Sequence, residues 1–516
     1  MTPTPESETM RRHGRLSAQI GVDCQPLGRC SSEDHSDNES EAESLELDIF
    51  RIDHVMKQLQ QGKLHRLRRL NALRSTTRNL PPEILLLIFH HVATPITKST
   101  FLDHYRCLRY RKHMERNISI IRCASVSSLW RNLILSTPPL WTTLVLNILP
   151  NAGRSENELL ELSWMRSQQL PIAVDLEFVG SRDSGGLTWE AKAREFFAHV
   201  RSMEDRLSML RLHNPPRSLV RHISKSPLRQ LQCLSLESMN TAAHLNTTFT
   251  LSSLPHLRQL TLRSIWCRIL ISQNNISVLD FFDTSLDVCI GIFTHCPNLV
   301  EVHCRFPRAS RGVHDIQIDS TIIFPFLKNL TWTLSCHSIN ISFIQQLKLP
   351  ALETLQLYGD ADHRDSIRPQ HIIQFFHQLS PGLRELEVVS WKEWTCGDLA
   401  QIFYDVRNTR KLVLRDCFET FTLDMVKLLS LVQIGSAHKL EYLPHLALLS
   451  IQSIKAQAHL GILPDLIKRR ALSSIGMQHF ELEISRPTVS VIQLLEAEAA
   501  VKNGSIKLKL LEKFAV

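Results

Sequence analysis

Apolar residues between positions 45 and 73 recur at steps of three and four, which is the spacing of one face of a helix. The pattern predicts a helix over 45–78, with Gly62 as a point where it can break. Such a helix is short for a coiled coil, so packing against the next domain is the first interpretation and self-pairing the second. Residues 1–44 hold few large apolar side chains and many acidic and serine residues, which predicts a disordered acidic tail.

A run of six apolar residues at 84–89 follows Leu80, two prolines and Glu83. The run has no diagnostic period and fits a strand or a helix. Proline suits the first turn of a helix, and Glu83 lies favourably at the positive end of the helix dipole. The flanks therefore predict a helix that is apolar on nearly every side. One small subdomain cannot cover such a helix, so part of its surface is expected to contact a partner.

A second helical stripe is predicted within residues 118–135, and a proline pair at 138–139 follows its end. A strand-like run at 142–148 comes next. Between the two predicted helices lies a basic, loop-rich insert at about 95–117. The stripe is formed by Cys123, Val126, Trp130, Leu133 and Ile134.

Three strings in this region resemble the F-box of fungal F-box proteins. They are LPPEILLLIF at 80–89, VSSLWRNL at 126–133 and STPPLW at 136–141. The chain departs from the family in two ways: Ser127 stands where Cys is common, and the insert is longer than in compact members. The resemblance places an F-box domain at 79–149.

The resemblance implies that the protein is the substrate-recognition subunit of an SCF-type cullin-RING ubiquitin ligase, without catalytic residues, cofactor or metal of its own. It implies a cytoplasmic or nuclear location and binding to a Skp-type adaptor. A non-ligase interaction scaffold is the alternative. The residues implied to contact the adaptor are Leu80, Pro81, Ile84, Leu85, Ile88, Phe89, Val126, Trp130 and Arg131.

Beyond residue 150 a degenerate L-x-x-L-x-L pattern recurs at a spacing of roughly 19 to 37 residues. Each copy predicts a strand that can bury its apolar face only by stacking on its neighbours. The fold class is therefore predicted as α/β, a helical F-box followed by an irregular leucine-rich-repeat-like solenoid with a parallel sheet over 150–516, which would hold an unknown protein substrate. An ordinary α/β domain is the alternative. The copies begin at Leu207, Leu231, Leu257, Ile276, Leu299, Leu327, Leu352, Leu383 and Leu446.

Charge is unevenly distributed along the 516 residues, whose formal net charge is +8. Residues 33–48 are acidic without a basic residue, and 51–78 are predominantly basic. Adjacent blocks of this kind favour a solvated tail and helix over a nucleic-acid arm, since no aromatic residues or known recognition motif accompany the basic residues.

Motifs for catalysis or metal binding are absent from the sequence. The 12 cysteines are scattered without a C-x-x-C pair, which predicts reduced and mostly buried thiols. No stretch is long and apolar enough to span a bilayer, and the first residues lack the apolar core of a secretion signal. Trp391 and Trp394 are candidates either for an exposed recognition patch or for packing.

Overall fold

The chain forms two compact units, Met1–Leu80 and Pro81–Val516. The predicted tail up to residue 34 and the basic insert lie outside the residues described. The computed structural model describes residues 35–74, 79–92, 119–149, 155–179, 186–237, 248–251, 254–271, 275–308, 321–334, 338–359, 369–391, 394–431, 440–452, 462–473, 480–485, 495 and 506–511.

The first unit contains one long helix, α1, at His35–Arg74. It starts ten residues before the predicted start at 45 and is continuous through Gly62, so part of the acidic run is helical. Acidic residues are favourable near a helix N-terminus, and Asp48 pairs with Arg51 one turn later at 3.2 Å.

The second unit begins with short helices. They are α2 at Pro82–Val92, α3 at 119–126, α4 at Ser128–Leu135 and a 3₁₀ turn at Pro138–Trp141. The predicted single helical stripe at 118–135 is thus two helices. The break falls at Ser127, whose backbone is extended (φ −153°, ψ 164°) and whose side chain caps α4.

A parallel sheet of 14 strands follows in the second unit. Each strand pairs with the next long strand along the chain, so the sheet grows in one direction. Its strands, in order, are β1 (Thr143–Ile148), β2 (Ile172–Phe178), β3 (Leu207–His213), β4 (Cys233–Glu237), β6 (Gln259–Arg263), β8 (Val278–Phe282), β9 (Glu301–Arg305), β11 (Asn329–Thr333), β13 (Thr354–Tyr358), β14 (Glu385–Val389), β15 (Lys411–Arg415), β16 (Leu448–Gln452), β17 (Phe480–Ser485) and β18 (Ile506–Leu511).

Helices lie between most of these strands and share one apolar core with them. Two short parallel pairs, β5 (Thr248–Thr250) with β7 (Arg268–Leu270) and β10 (Ile322–Ile323) with β12 (Leu347–Lys348), lie between the longer strands in sequence. The helices are α5 (Ser155–Arg166), α6 (Gly186–Ser202), α7 (Arg217–Lys225), α8 (Leu286–Thr294), α9 (Ser338–Gln345), α10 (Pro369–His377), α11 (Cys396–Asp405), α12 (Glu419–Leu429) and α13 (Leu463–Ser473).

The strands form where the leucine pattern places them. In each complete copy the last two apolar residues fall within a strand and the first one lies before it or at its start, as in Leu352, Leu355 and Leu357 of β13. All three of these residues are fully buried. The pairing is in register, since Leu355 lies opposite Leu330 of β11 and Leu386 of β14. Alternation along each strand turns these residues to one face of the sheet and their polar neighbours to the other.

Strand ends share a left-handed turn. The residue directly after the strand has φ near +50° at Asn214, Ser264, Asp283, Phe306, Ser390 and Asp416. Asn and Asp tolerate this conformation because their short polar side chains hydrogen-bond locally, whereas a bulky residue there is strained. Five of these six residues are small and polar, and the sixth, Phe306, is a bulky aromatic residue.

Trp391 packs in the interior and does not form an exposed patch. Its ring centroid lies 4.3 Å from that of Trp394 and 5.7 Å from that of Phe421, and only 4% of the residue is exposed. Packing was one of the two interpretations of this tryptophan pair. The cysteines of the described residues are free, and six of these eight are buried.

We expect Leu355→Ala to lower the free energy of unfolding by about 2–5 kcal/mol, because removing most of this buried side chain leaves a cavity in the core. Denaturant unfolding followed by circular dichroism measures the change. Leu431→Ala is the matched control, since Leu431 is 42% exposed. An equal effect of both substitutions would contradict the assignment of Leu355 to the core.

Candidate functional site

Helix α2 divides its apolar residues between the interior and the surface. The carbonyl of Pro81 accepts hydrogen bonds from the N–H groups of Ile84 (3.0 Å) and Leu85 (3.2 Å), which closes the first turn. Leu85 and Phe89, four residues apart, are 0% and 1% exposed. They form the inward face of the helix.

Aromatic side chains hold α2 against the elements that follow. The rings of Phe89 and Trp130 meet edge to face with centroids 4.9 Å apart, within the favourable range for aromatic pairs. Trp141 is buried, and its indole N–H donates to the carbonyl of Ile134 at 2.8 Å. Three of the most recognisable residues of the sequence motif therefore stabilise the domain itself.

Ser127 has a defined structural role. Its Oγ accepts a hydrogen bond from the N–H of Trp130 at 3.1 Å and so caps α4. The cap orients the turn that carries Trp130 towards Phe89. Serine is among the preferred residues at this position of a helix.

A ridge of apolar side chains remains on the surface of α2. Ile84, Ile88 and Val92 lie four residues apart on one helix face and are 42%, 40% and 38% exposed. Leu87 beside them is 59% exposed. A contiguous exposed apolar surface on a small domain marks an interaction site.

Further apolar side chains are exposed on α3 and α4. Ile121, Val126 and Leu129 are 48%, 58% and 41% exposed. Val126 precedes the break at Ser127 and so does not share one helical stripe with Trp130.

The nine residues that the sequence implied as adaptor contacts thus separate into groups. Pro81, Ile84, Ile88, Val126 and Arg131 are exposed, and Leu80 and Trp130 are partly exposed. Leu85 and Phe89 are buried within the domain. Their burial follows from the helical period: positions 85 and 89 share the inward face, which the string of apolar letters does not distinguish from the outward one.

These helices coincide with a known kind of domain. Residues 77–147 match the family model described as F-box-like. A search of curated proteins found no match to the chain. The F-box-like domain covers α2 to α4, the 3₁₀ turn and most of β1, and its presence supports an F-box protein.

The F-box-like domain is continuous with the sheet. Its last residues form β1, which pairs with β2 over six residues from Thr143 opposite Ala173 to Ile148 opposite Phe178. Arg166 at the end of α5 donates to the carbonyl of Leu135 at the end of α4 (3.4 Å). The predicted boundary at 149/150 therefore separates two paired strands.

The second candidate surface is the polar face of the sheet, formed by the side chains that alternate with the buried leucines. Asp175, Arg211 and Glu237 come from three neighbouring strands and are 6%, 5% and 3% exposed. The Arg211 guanidinium lies 2.7 Å from Glu237 and 3.8 Å from Asp175. Buried charges require such partners, because an unpaired one is costly to desolvate.

The alternation of charge continues across the next strands. Arg263 lies 3.8 Å from Glu237 and 3.1 Å from Asp280, and Arg305 lies 3.5 Å from the other oxygen of Asp280. Asp280 is fully buried. The network therefore runs without a gap from β2 to β9.

His213 is part of this network and is charged. It lies 3.0 Å from Glu237 and 3.4 Å from Asp175. Burial opposes its charge, but the two carboxylates outweigh burial and raise the pKa of His213 to about 9. Burial likewise opposes the charge on Glu237, yet His213, Arg211 and Arg263 hold the pKa of this carboxyl well below its usual value.

Uncharged groups extend the network towards the C-terminal strands. The Thr331 hydroxyl lies 2.9 Å from His303 and donates to Gln356 at 2.9 Å, and Gln356 donates to Glu387 at 2.8 Å. Arg415 then pairs with Glu387 at 2.9 Å. A lateral ladder of polar side chains thus runs from β9 to β15.

Within the described residues, no group of three or more His, Cys, Asp and Glu side chains has the arrangement of a metal site. Among the described helices, none combines the length and apolar character needed to cross a membrane.

The charge on His213 predicts a pH-dependent contribution to stability. It is fully present below pH 6.5, the ordinary pKa of histidine, and is lost as pH rises through about 9. We therefore expect His213→Gln to destabilise the protein most at pH 5–6.5, by at most about 3 kcal/mol. The difference from wild type should shrink towards pH 9.5, as measured by denaturant unfolding across this range.

His222→Gln is the control for the histidine network, since the contacts described for His222 are a hydrogen bond to the Ser218 carbonyl and a ring contact with Phe197, not carboxylates of the network. A stability difference for His213→Gln that does not change with pH would show that the histidine is neutral in the folded protein.

Proposed function

We propose that this protein is the substrate-recognition subunit of an SCF-type cullin-RING ubiquitin ligase and is not itself an enzyme. F-box domains bind Skp-type adaptors in SCF complexes, and the F-box-like domain supports this role. The observation that carries the proposal is the exposed ridge of Ile84, Ile88 and Val92 within that domain. Because Leu85 and Phe89 form the inward face of α2, the exposed part of the ridge is available to a partner.

The adaptor site is proposed as this ridge together with Pro81, Val126 and Arg131. Apolar residues at the centre and a charged residue at the edge are typical of a protein interface. Trp130, Leu85 and Phe89 act indirectly, since they hold α2 against α4. This division refines the set of nine residues that the resemblance implied.

The sheet is proposed as a leucine-rich-repeat-like solenoid whose polar face receives a protein substrate. Its support is the one-directional parallel sheet and the register of the leucine copies. Most charges on this face are paired within the protein, so a substrate gains little from them. Side chains at the strand ends remain available to it.

Phe306 is the proposed anchor for the substrate. It follows β9, is 47% exposed and lies beside Phe282 and Tyr358, with ring centroids 5.7 and 6.1 Å away. Small polar residues occupy the five corresponding strand ends, so the fold does not require an aromatic residue here. Exposed aromatic side chains commonly provide much of the binding energy of interfaces.

Substrate ubiquitination would proceed by proximity, because the receptor holds a lysine-bearing protein near a charged conjugating enzyme. A scaffold that binds the adaptor without ubiquitination is the alternative function. Reconstitution with the adaptor, cullin and RING subunits and any co-purifying protein separates the two. Modification of the bound protein supports the ligase function.

We expect the double substitution Ile84→Asp and Ile88→Asp to abolish co-purification with the Skp-type adaptor, since each aspartate places a charge in an apolar interface. The affinity should fall by at least about 100-fold, measured by calorimetry or surface plasmon resonance. Thermal unfolding should change little, because both side chains are already exposed.

Ile323→Asp is the matched control for the adaptor experiment. Ile323 is 57% exposed and lies in β10, away from the F-box-like domain in the sequence. Its substitution should leave adaptor binding unchanged. If wild type forms no stable complex with the adaptor, the proposed function is wrong.

Phe306→Asn tests whether the aromatic residue serves the fold or a partner. Asparagine relieves the left-handed strain, by about 1 kcal/mol, and this gain offsets the lost ring contacts. We therefore expect a free energy of unfolding within about 1 kcal/mol of wild type. Proteins that bind the polar face of the sheet should no longer co-purify with the variant. A loss of several kcal/mol in unfolding free energy would assign Phe306 to the fold.

A further inference from the structure

Helix α1 carries an apolar stripe along most of its length. From Leu45 to Leu59 the stripe members recur at alternating steps of four and three, the heptad spacing. Lys63 interrupts the stripe, which continues at Leu67 and Leu70 after two successive steps of four. Each is between 40% and 69% exposed. The stripe consists of Leu45, Ile49, Ile52, Met56, Leu59, Leu67 and Leu70.

The charges beside the stripe differ between the two halves of the helix. Glu46 and Asp48 flank it in the first half, and Arg66 flanks it in the second half. Asp48 has only an exposed partner, Arg51, at 3.2 Å within the same helix. Exposed pairs of this kind contribute little to stability. The stripe is therefore flanked by negative charge in the first half of the helix and by positive charge in the second half.

We propose that α1 pairs with α1 of a second copy of this chain as an antiparallel coiled coil. When the pairing is centred near Lys57, Asp48 lies level with Arg66 of the second copy, and Glu46 lies about half a turn from it. The acidic half of each helix then faces the basic half of the other. A parallel pair instead sets Glu46 beside Glu46 and Arg66 beside Arg66, which is unfavourable.

The length of the helix and its interruption agree with this arrangement. The helix has 40 residues, or roughly 60 Å at 1.5 Å per residue, and the stripe spans between three and four heptads. A single lysine in the stripe can fix the register of a coiled coil at some cost in stability, because its aliphatic stem lies along the apolar surface while the charge reaches water. Lys63 occupies that position.

The self-pairing is independent of adaptor binding, so the two proposals are tested separately. Sedimentation equilibrium of the full chain should show a dimer whose dissociation constant rises with salt concentration, since exposed charge pairs are screened. Replacing Ile52 and Leu59 by Asp should give a monomer with unchanged adaptor affinity. A wild-type chain that stays monomeric at about 50 µM, where association would already be weaker than about 6 kcal/mol, overturns the proposal.

Charge reversal determines the orientation. Glu46→Lys with Asp48→Lys should weaken the dimer at least about tenfold, because attraction becomes repulsion in both halves. Adding Arg66→Glu to the same chain should restore most of the lost affinity. In a parallel dimer the first pair of substitutions has little effect and the full set has no rescuing effect, which would refute the antiparallel arrangement.

Two controls complete the experiment. Glu43→Lys changes a charge on the face of α1 opposite the stripe and should leave the dissociation constant within about twofold of wild type. Circular dichroism of each variant should show wild-type helicity. A dimer that survives the Ile52→Asp and Leu59→Asp substitutions would place the interface elsewhere and overturn the proposal.

Discussion

The in-register stacking of buried apolar residues from strand to strand is the constraint on which the second unit depends. Leu330, Leu355 and Leu386 lie opposite one another in neighbouring strands and are at most 2% exposed. A slip of one residue would turn each strand's apolar residues to the polar face, so burial fixes the register strongly. Once the register is fixed, so are the neighbours of every polar side chain on the other face.

The charged network follows directly from that register. Asp175, Arg211 and Ser235 occupy one row across three strands, and Glu177, His213 and Glu237 occupy the next row. Side chains of opposite sign meet between rows, as in the 2.7 Å contact of Arg211 with Glu237. Breaking a buried pair leaves an uncompensated charge, so each partner constrains the other. The network makes the strand order specific where the leucine contacts are interchangeable.

The sequence predicted the parts of the fold that depend on local apolar spacing. The copies at Leu207, Leu231 and Leu257 correspond to strands, and even the degraded copy with Ile276, Leu279 and Phe281 does so, because burial requires only apolar volume at these positions. The break at Ser127 was not predicted, since the stripe from Cys123 to Ile134 keeps a helical period across it. A serine pair at 127–128 in front of a predicted apolar turn was the available signal for a cap.

The buried charges were missed for a different reason. Asp175, Arg211 and Asp280 read individually as surface residues, because single-sequence patterns equate charge with exposure. The available signal was their alternating sign at equivalent positions of successive copies, and it emerges only when the copies are aligned by register. The exposed ridge of α2 was partly predicted, since a helix that is apolar on nearly every side leaves some apolar residues outside the interior. Which residues of the run are exposed, such as Ile84, and which are buried, such as Leu85, depends on the side of α2 on which α4 packs.

The continuity of β1 with the F-box-like domain bears on the proposed mechanism. Trp141 is anchored to Ile134, and two residues later the chain enters β1, whose six residues all pair with β2. No linker of flexible composition separates the F-box-like domain from the sheet at this point. A receptor that works by proximity needs a restricted distance between its two partners, because a long flexible connection lowers the effective concentration of the substrate. The strand pairing supplies that restriction through the same register that builds the core.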